Sequence, residues 1–199
     1  GKSAARLEIL PEYKATRQQM PEDLKVQTET IREMIIAFGW KIIEKEGVEA
    51  DDLIATIATT LKGSNVSIVS NDKDMAQLIS DSVTMLITTP GVKGFSIRDK
   101  ESVISKFWVS PHQIVDYLSL IGDASDNIKG IDGVGPKTAL KLLLNGNSIE
   151  ALLLNSNLID NEGLRQKIIE GRDVLNRNIK LITLNKSVTI TSFNNRESI

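Results

Sequence analysis

Within the first hundred residues, apolar runs short enough to be strands alternate with segments of helical period, and that order admits few folds. From Pro21 the run PEDLKVQTETIREMIIAFGW sets Leu24, Thr28, Ile31, Ile35 and Phe38 at helical spacing, with Pro and acids at its start and Gly39 as its stop. KIIEKEG reads as a short strand over 42–46. EADDLIATIATTLKG then places Leu53, Ile54, Ile57, Ala58 and Leu61 on one helical face before Gly63. VSIVS reads as a buried strand, a helix starts near Asp74, VTMLITT forms another strand, and FSIRD follows a Pro-Gly turn at 90 and 91. Strands alternating with helices predict an α/β core with a mainly parallel sheet. Residues 1–23 show little periodicity and are expected to be mobile or partly helical, serving contact.

Seven carboxylates fall in three short clusters: Glu49, Asp51 and Asp52; Asp72 and Asp74; Asp123 and Asp126. The first two clusters follow expected strands, where open α/β sheets bind ligands. Like charges gathered within a few ångströms stay ionised only with bound cations, which predicts a divalent-metal site and a phosphodiester-cutting chemistry. Each acid taken alone reads equally as a helix cap, worth about 0.3 to 1 kcal/mol. Three clusters at comparable topological positions favour the metal.

A chain of 199 residues, 41% hydrophobic, buries a real core. The net charge of -2 is not that of a basic nucleic-acid binder, although an acidic pocket beside a basic strip sums to the same value. The absence of Cys rules out disulfides and thiolate metal sites, so a reducing cytoplasm is the expected location. No stretch reaches the roughly 20 apolar residues of a membrane span.

After about residue 105 the pattern turns helical, over 111–121, 136–144, 148–154 and 162–184. At its centre, Gly130, Gly133 and Gly135 allow tight turns, and Pro136 suits a first helical position, with Lys137, Thr138 and Lys141 close behind. Backbone N–H groups and lysines in that arrangement can hold a phosphate backbone without reading bases; a plain helix hairpin would use similar residues.

Together, YKATR at 13–17, GVEADD at 47–52, SNDKDMAQL at 70–78 and GDASDNIKGIDGVGPKTA at 122–139 closely resemble the bacterial 5′-nuclease family, the 5′-3′ exonuclease domain of DNA polymerase I and its stand-alone relatives, which are similar to flap endonucleases. The resemblance implies a PIN-like core over 1–105, with a helical-arch segment at about 1–23, and a helical DNA-binding module over 106–199 carrying a helix-two-turn-helix element (helix-hairpin-helix-like) around 128–146. It implies two or more Mg²⁺ or Mn²⁺ ions, with Glu49, Asp51, Asp52, Asp72 and Asp74 as inner ligands and Asp123 and Asp126 as the outer pair. The ions would activate water for in-line attack without a histidine base; His112 reads as a surface residue at a helix start. Lys14 and Arg17 match basic residues that steer the scissile phosphate, and Tyr13 an aromatic on which a terminal base stacks. Gly133, Val134, Gly135, Lys137, Thr138 and Lys141 match the duplex-gripping turn, where main-chain oxygens from Gly130 to Val134 would hold K⁺. The implied substrates are branched or nicked duplexes with a 5′ flap or RNA primer, in replication and repair, with a polymerase domain, linked or separate, as partner.

The family pattern begins with a strand bearing an early Asp and a second ending in Phe-Asp, both metal ligands, and neither is present here. Judged by usual domain length, roughly the first sixty residues of the pattern are missing. The sheet is therefore expected to show an exposed hydrophobic edge, and the chain to be part of a longer polypeptide. Two alternatives to the nuclease remain: a non-catalytic duplex-DNA-binding fragment, and a PIN-type ribonuclease acting on single strands, for which a duplex-gripping turn is unnecessary.

Overall fold

The structure, a computed structural model, describes residues 3–61, 63–91, 93–144 and 147–190. The last two positions of the element expected at 128–146, and the end of the expected helical module after 190, lie outside the described residues.

Helix α1 (Ala4–Ile9) is capped by Ser3, whose hydroxyl accepts from the Arg6 N–H. The turn after it packs Tyr13 and Lys14 into the protein, so this opening stretch is partly helical and anchored. Helices α2 (Glu22–Lys25) and α3 (Gln27–Ala37) follow, and the chain turns at Gly39 with φ +78°, as the glycine stop predicts. No residue of α3 is buried: Ile31, Met34, Ile36 and Phe38 face solvent, and no described residue covers them.

The expected strand at 42–46 does not form. A strand needs a neighbour for its N–H and C=O groups, and the described sheet contains none beside this segment. Helix α4 (Ala50–Thr60) begins directly after it, burying Leu53, Ala55, Thr56 and Ala58. Strands β1 (Val66–Val69) and β2 (Val83–Thr88) pair in parallel, with Ile68 opposite Met85, and β3 (Phe95–Arg98) adds antiparallel to β2. β1 is an edge of this sheet, with Val69 exposed, matching the expected hydrophobic edge. The helix expected near Asp74 is a six-residue 3₁₀ segment, Lys73–Leu78, capped by the Asp72 side chain, which accepts from the Asp74 N–H.

Helix α5 (Lys100–Phe107), capped by Asp99, ends on Trp108, held at φ +61° with 75% of its surface exposed. An L-residue in this left-handed conformation is strained by about 1 kcal/mol, and glycine is the residue helices favour there. Trp108→Gly is therefore expected to stabilise the chain by about 0.5 to 1 kcal/mol, read as a higher urea midpoint at unchanged slope.

The C-terminal part is helical, as the periodicity predicts. His112 sits exposed in the 3₁₀ turn Pro111–Gln113, ahead of α6 (Ile114–Ile121). A two-residue hairpin, β4 (Gly122–Asp123) with β5 (Ile128–Lys129), leads to α7 (Pro136–Leu143) and α8 (Ile149–Leu154). The continuous helix expected over 162–184 is two, α9 (Glu162–Glu170) and α10 (Arg172–Ile182). The elbow at Gly171 seats against Ile131, where a Cβ would lie 2.3 Å from the isoleucine Cδ1. Buried Asn178 then ties α10 to its neighbours, its amide donating to the Ser119 and Lys129 carbonyls at 3.0 and 2.8 Å. Met75, Met85, Ile114, Leu118, Leu120 and Leu175 belong to one continuous core, so the acids on the α/β side and those on the hairpin are held against a common framework.

Candidate metal centre and nucleic-acid interface

Three of the seven acids converge. Asp74 comes from the 3₁₀ segment after β1, while Asp123 and Asp126 come from the β4–β5 hairpin; one oxygen from each lies within 4.8 Å of the others. The hairpin is aimed by two glycines. Gly122 has φ +80°, and a Cβ on it would sit 2.5 Å from the Gly130 nitrogen; one on Gly130 would sit 2.4 Å from the Leu120 oxygen. The two backbones touch only because neither residue has a side chain. The Asp123 carboxylate accepts from the Ser125 N–H at 3.0 Å and its hydroxyl at 2.7 Å, which fixes it across the hairpin from Asp126.

The electrostatics fit a bound cation. Asp74 Oδ1 is buried with no hydrogen-bond partner. Burial, and then repulsion from Asp72, Asp123 and Asp126, push the Asp74 carboxyl up to about 7. Burial also opposes ionisation of Asp123, but hydrogen bonds from Ser125 and the Lys73 ammonium, 2.9 Å away, outweigh it and hold this carboxyl below its ordinary value. An orphaned oxygen beside two buried carboxylates is the donor set a hard divalent ion takes, so the residues fit the group.

The remaining acids take up different partners. Asp51, partly buried, is raised by burial and then by Asp72, so these two lie within electrostatic reach of each other. Glu49 has both oxygens engaged: Oε1 by Lys14 Nζ at 2.8 Å, and Oε2 by the Tyr13 hydroxyl at 3.1 Å and Arg6 Nη1 at 3.0 Å. Asp52 lies apart from the three-acid cluster. Its oxygens accept from Arg6 Nη1 and Nη2 at 2.7 and 2.8 Å, and Oδ1 also accepts from the Asn185 N–H at 2.9 Å. Neighbouring residues on a helix point in different directions, so Asp51 and Asp52 cannot face one hollow together.

The basic residues of the opening segment meet the acids. Lys14, itself at φ +54°, also approaches Asp126 Oδ2 at 3.6 Å, and Arg17 Nη2 donates to Asp126 Oδ1 at 2.6 Å. Tyr13 departs from its expected stacking role: it is 2% exposed, and its hydroxyl bridges Glu49 and Asp126, which leaves no ring face for a base. Burial, then Asp126 and Glu49, raise this phenol far above its ordinary value and keep it a donor. Two contributors escaped the sequence reading. Lys73 stands between two expected ligands and Arg6 in an aperiodic segment, and in neither case does local spacing reveal a partner tens of residues away.

On the turn side, Gly133 adopts φ +78°, and α7 starts with Gly135 as cap and Pro136 in its first turn. Gly133, Gly135, Lys137 and Lys141 are exposed and Thr138 partly so, whereas the Val134 side chain is buried, leaving only its backbone for contact. Of the main-chain oxygens expected to hold K⁺, that of Ile131 accepts from the Val134 N–H, and that of Asp132 accepts from Lys167 Nζ at 3.2 Å. Beside this turn, a cleft of about 840 Å³ runs between the hairpin and the α9–α10 elbow. Among the described residues no helix is long and apolar enough to cross a membrane.

Comparison with known proteins agrees with this layout. Residues 1–108 match the family model of the 5′-3′ exonuclease N-terminal resolvase-like domain, and residues 109–197 that of the 5′-3′ exonuclease C-terminal SAM fold. The 5′-3′ exonuclease of Aquifex aeolicus is 41% identical over 181 residues, covering 90% of this chain and 60% of that protein. DNA polymerase I of Bacillus subtilis is 39% identical over 175 residues, covering 87% of this chain and 20% of the polymerase, so the chain spans about a fifth of that relative. Among solved structures, a bacteriophage T5 D15 flap endonuclease, in a pseudo-enzyme-product complex with DNA and metal ions, superposes with a TM-score of 0.76 at 26% identity, covering 93% of this chain and 71% of that one. With the two family models together matching residues 1–197 and acids from both parts converging, the chain belongs to the 5′-3′ exonuclease family.

Proposed function

We propose that this chain carries the nuclease site of a structure-specific 5′ nuclease, a 5′-3′ exonuclease and flap endonuclease that hydrolyses phosphodiesters in DNA or RNA-primed DNA. The convergence of Asp74, Asp123 and Asp126, with one buried oxygen left unpartnered, carries this reading. Those three would hold one divalent ion, Mg²⁺ or Mn²⁺. Asp51 and Asp72, which lie within electrostatic reach of each other, and Glu49 would contribute to a second. When bound, such ions supply Lewis acidity and a water of lowered pKa. Lys14 and Arg17 then steer the scissile phosphate. Both contact carboxylates of the site, Lys14 from within the protein and Arg17 from its partly exposed rim, and either could exchange that partner for a phosphate oxygen.

The division into a nuclease core over 1–105 and a helical module over 106–199 is supported by the family models changing over at 108 and 109. In the module, the backbone at Gly133, Val134 and Gly135, with Lys137, Thr138 and Lys141, would grip the phosphates of a duplex carrying a 5′ flap or RNA primer. K⁺ at this turn would share the Asp132 oxygen with Lys167 or displace its ammonium. A polymerase domain as partner is supported by the polymerase relatives, and a cytoplasmic location is proposed with it.

The direct test is cleavage of a 5′-flap duplex by the full-length protein with and without divalent metal: cutting near the junction only with metal is expected, and metal-independent cutting or none would refute it. A second reading, a duplex-binding scaffold, is favoured by the saturation of Glu49 and Asp52 with basic partners. Calorimetry separates the two, since two bound Mn²⁺ ions support the nuclease and none the scaffold. Metal should also stabilise the fold, because only the native chain assembles the cluster. At a concentration 100 times the dissociation constant the gain is about 2.7 kcal/mol, a rise of roughly 5 to 10 °C in the thermal midpoint for a chain of this size, which calorimetric scans with Mg²⁺ and with EDTA would measure.

A further inference from the structure

Arg6 is 5% exposed, and all five of its guanidinium N–H groups have acceptors, on two separate parts of the chain, the start of α4 and the end of α10. Nε donates to the Leu181 carbonyl at 2.7 Å. Nη1 is shared by Glu49 Oε2 at 3.0 Å and Asp52 Oδ2 at 2.7 Å. Nη2 donates to Asp52 Oδ1 at 2.8 Å and the Thr183 carbonyl at 3.3 Å. The segment leaving α10 is also pinned to α4 independently: the Asn185 N–H donates to Asp52, the Thr56 hydroxyl donates to the Asn185 carbonyl, and the Val188 N–H donates to that hydroxyl.

From this geometry we infer that Arg6 is a positioning residue for the nuclease site: it sets the Glu49 carboxylate and couples it to the end of α10, with Asp52 as its buried counter-ion and not a metal ligand. The inference rests on the nuclease reading above. Glu49 is held from two sides, by Lys14 and Tyr13 toward Asp126 and by Arg6 toward the α4–α10 junction, so its oxygens cannot swing freely. The Asp52 carboxylate is 4% exposed and meets Arg6 in the two-pronged contact that a planar guanidinium makes and an ammonium cannot. This explains why a chain with seven clustered acids brings only some of them to the metal hollow: one acid of the first cluster is consumed in fastening another.

The test uses the full-length protein and three variants. Asp52→Asn is expected to bind the same number of Mn²⁺ ions in calorimetry as the parent, and loss of one ion would overturn its assignment as counter-ion. The double variant Arg6→Met with Asp52→Leu removes both buried charges together, so neither is left unpaired. It is expected to melt below the parent, because the Leu181 and Thr183 carbonyls and the Asn185 N–H lose their partners, and to stay folded and bind flap duplex equally well, yet to cut about 10- to 100-fold more slowly in single turnover, because small misplacements of reacting groups cost rates of that order. Cleavage at the parent rate would mean that Arg6 only holds the fold, and would overturn the proposal. Should the double variant not fold, Arg6→Lys keeps the charge but not the fork. The same slow cutting with native circular dichroism is expected of it, and the parent rate would again refute the role. A parent that cuts no flap at any metal concentration defeats the nuclease reading instead, an outcome distinct from variants that match an active parent.

Discussion

Replacing Asp123 and Asp126 together by asparagine is expected to lower metal-dependent flap cleavage about a thousandfold while leaving the chain folded. The ions of such a site supply several kcal/mol of charge stabilisation in the transition state, and each 1.36 kcal/mol is a factor of ten in rate. Two of the three converging carboxylates would be lost, and a neutral amide is a far weaker ligand for a hard cation. The fold should persist because asparagine keeps an oxygen for the Ser125 N–H and hydroxyl and for Arg17. Removal of the two neighbouring charges also relieves Asp74, whose carboxyl should fall from about 7 toward its ordinary value. Single-turnover cleavage, the thermal midpoint and carbon-detected NMR titration of Asp74 measure the three effects. Undiminished cutting by the double variant would remove the outer pair from the site.

Gly130→Ala should unfold or nearly unfold the helical module's junction with the core, at a cost of about 3 kcal/mol or more, the upper end of what overpacking costs. The added methyl group would sit 2.4 Å from the Leu120 oxygen and the Ile121 carbonyl carbon, and 2.5 Å from the Gly122 nitrogen. Backbone atoms cannot rotate away as a side-chain tip can, so the hairpin would have to open. Opening it moves Asp123, beside Gly122, away from Asp126, and metal affinity should fall along with stability. Gly135 provides the control, because a Cβ there meets nothing within 4 Å and φ is not positive. Urea denaturation of the two variants, each with and without Mn²⁺, checks the prediction: a Gly130→Ala chain as stable as Gly135→Ala would show that the hairpin has slack.

Local patterns succeeded wherever the signal was local. The stop at Gly39, the helix behind Glu49, the strands at 66 and 83 and the turn ahead of Pro136 all stand where periodicity and turn residues put them, while the helix expected from Pro21 is divided at Val26 into α2 and α3. The errors are ones of partnership. The run at 42–46 has strand-like residues but no described strand beside it, and the helix expected over 162–184 is interrupted at Gly171, where the close approach of Ile131 leaves room for no side chain. The apolar stripe of α3 specified a helix without specifying what covers it.

The same division runs through the candidate site. Residue chemistry and spacing, by themselves, determined that acids would stand at the starts of helices and turns, and that a glycine-rich element would precede a lysine-bearing helix, because capping, φ preference and period act within a few residues. Which acids share a hollow was decided by the tertiary structure alone. Asp74 meets Asp123 and Asp126 across some fifty residues of chain, Tyr13 closes over Glu49 and Asp126, and Arg6 turns Asp52 away toward the end of α10. Carboxylates of identical type differ only in the cations and burial that folding sets around them, and those forces act through space between segments whose separation along the chain carries no record of their meeting.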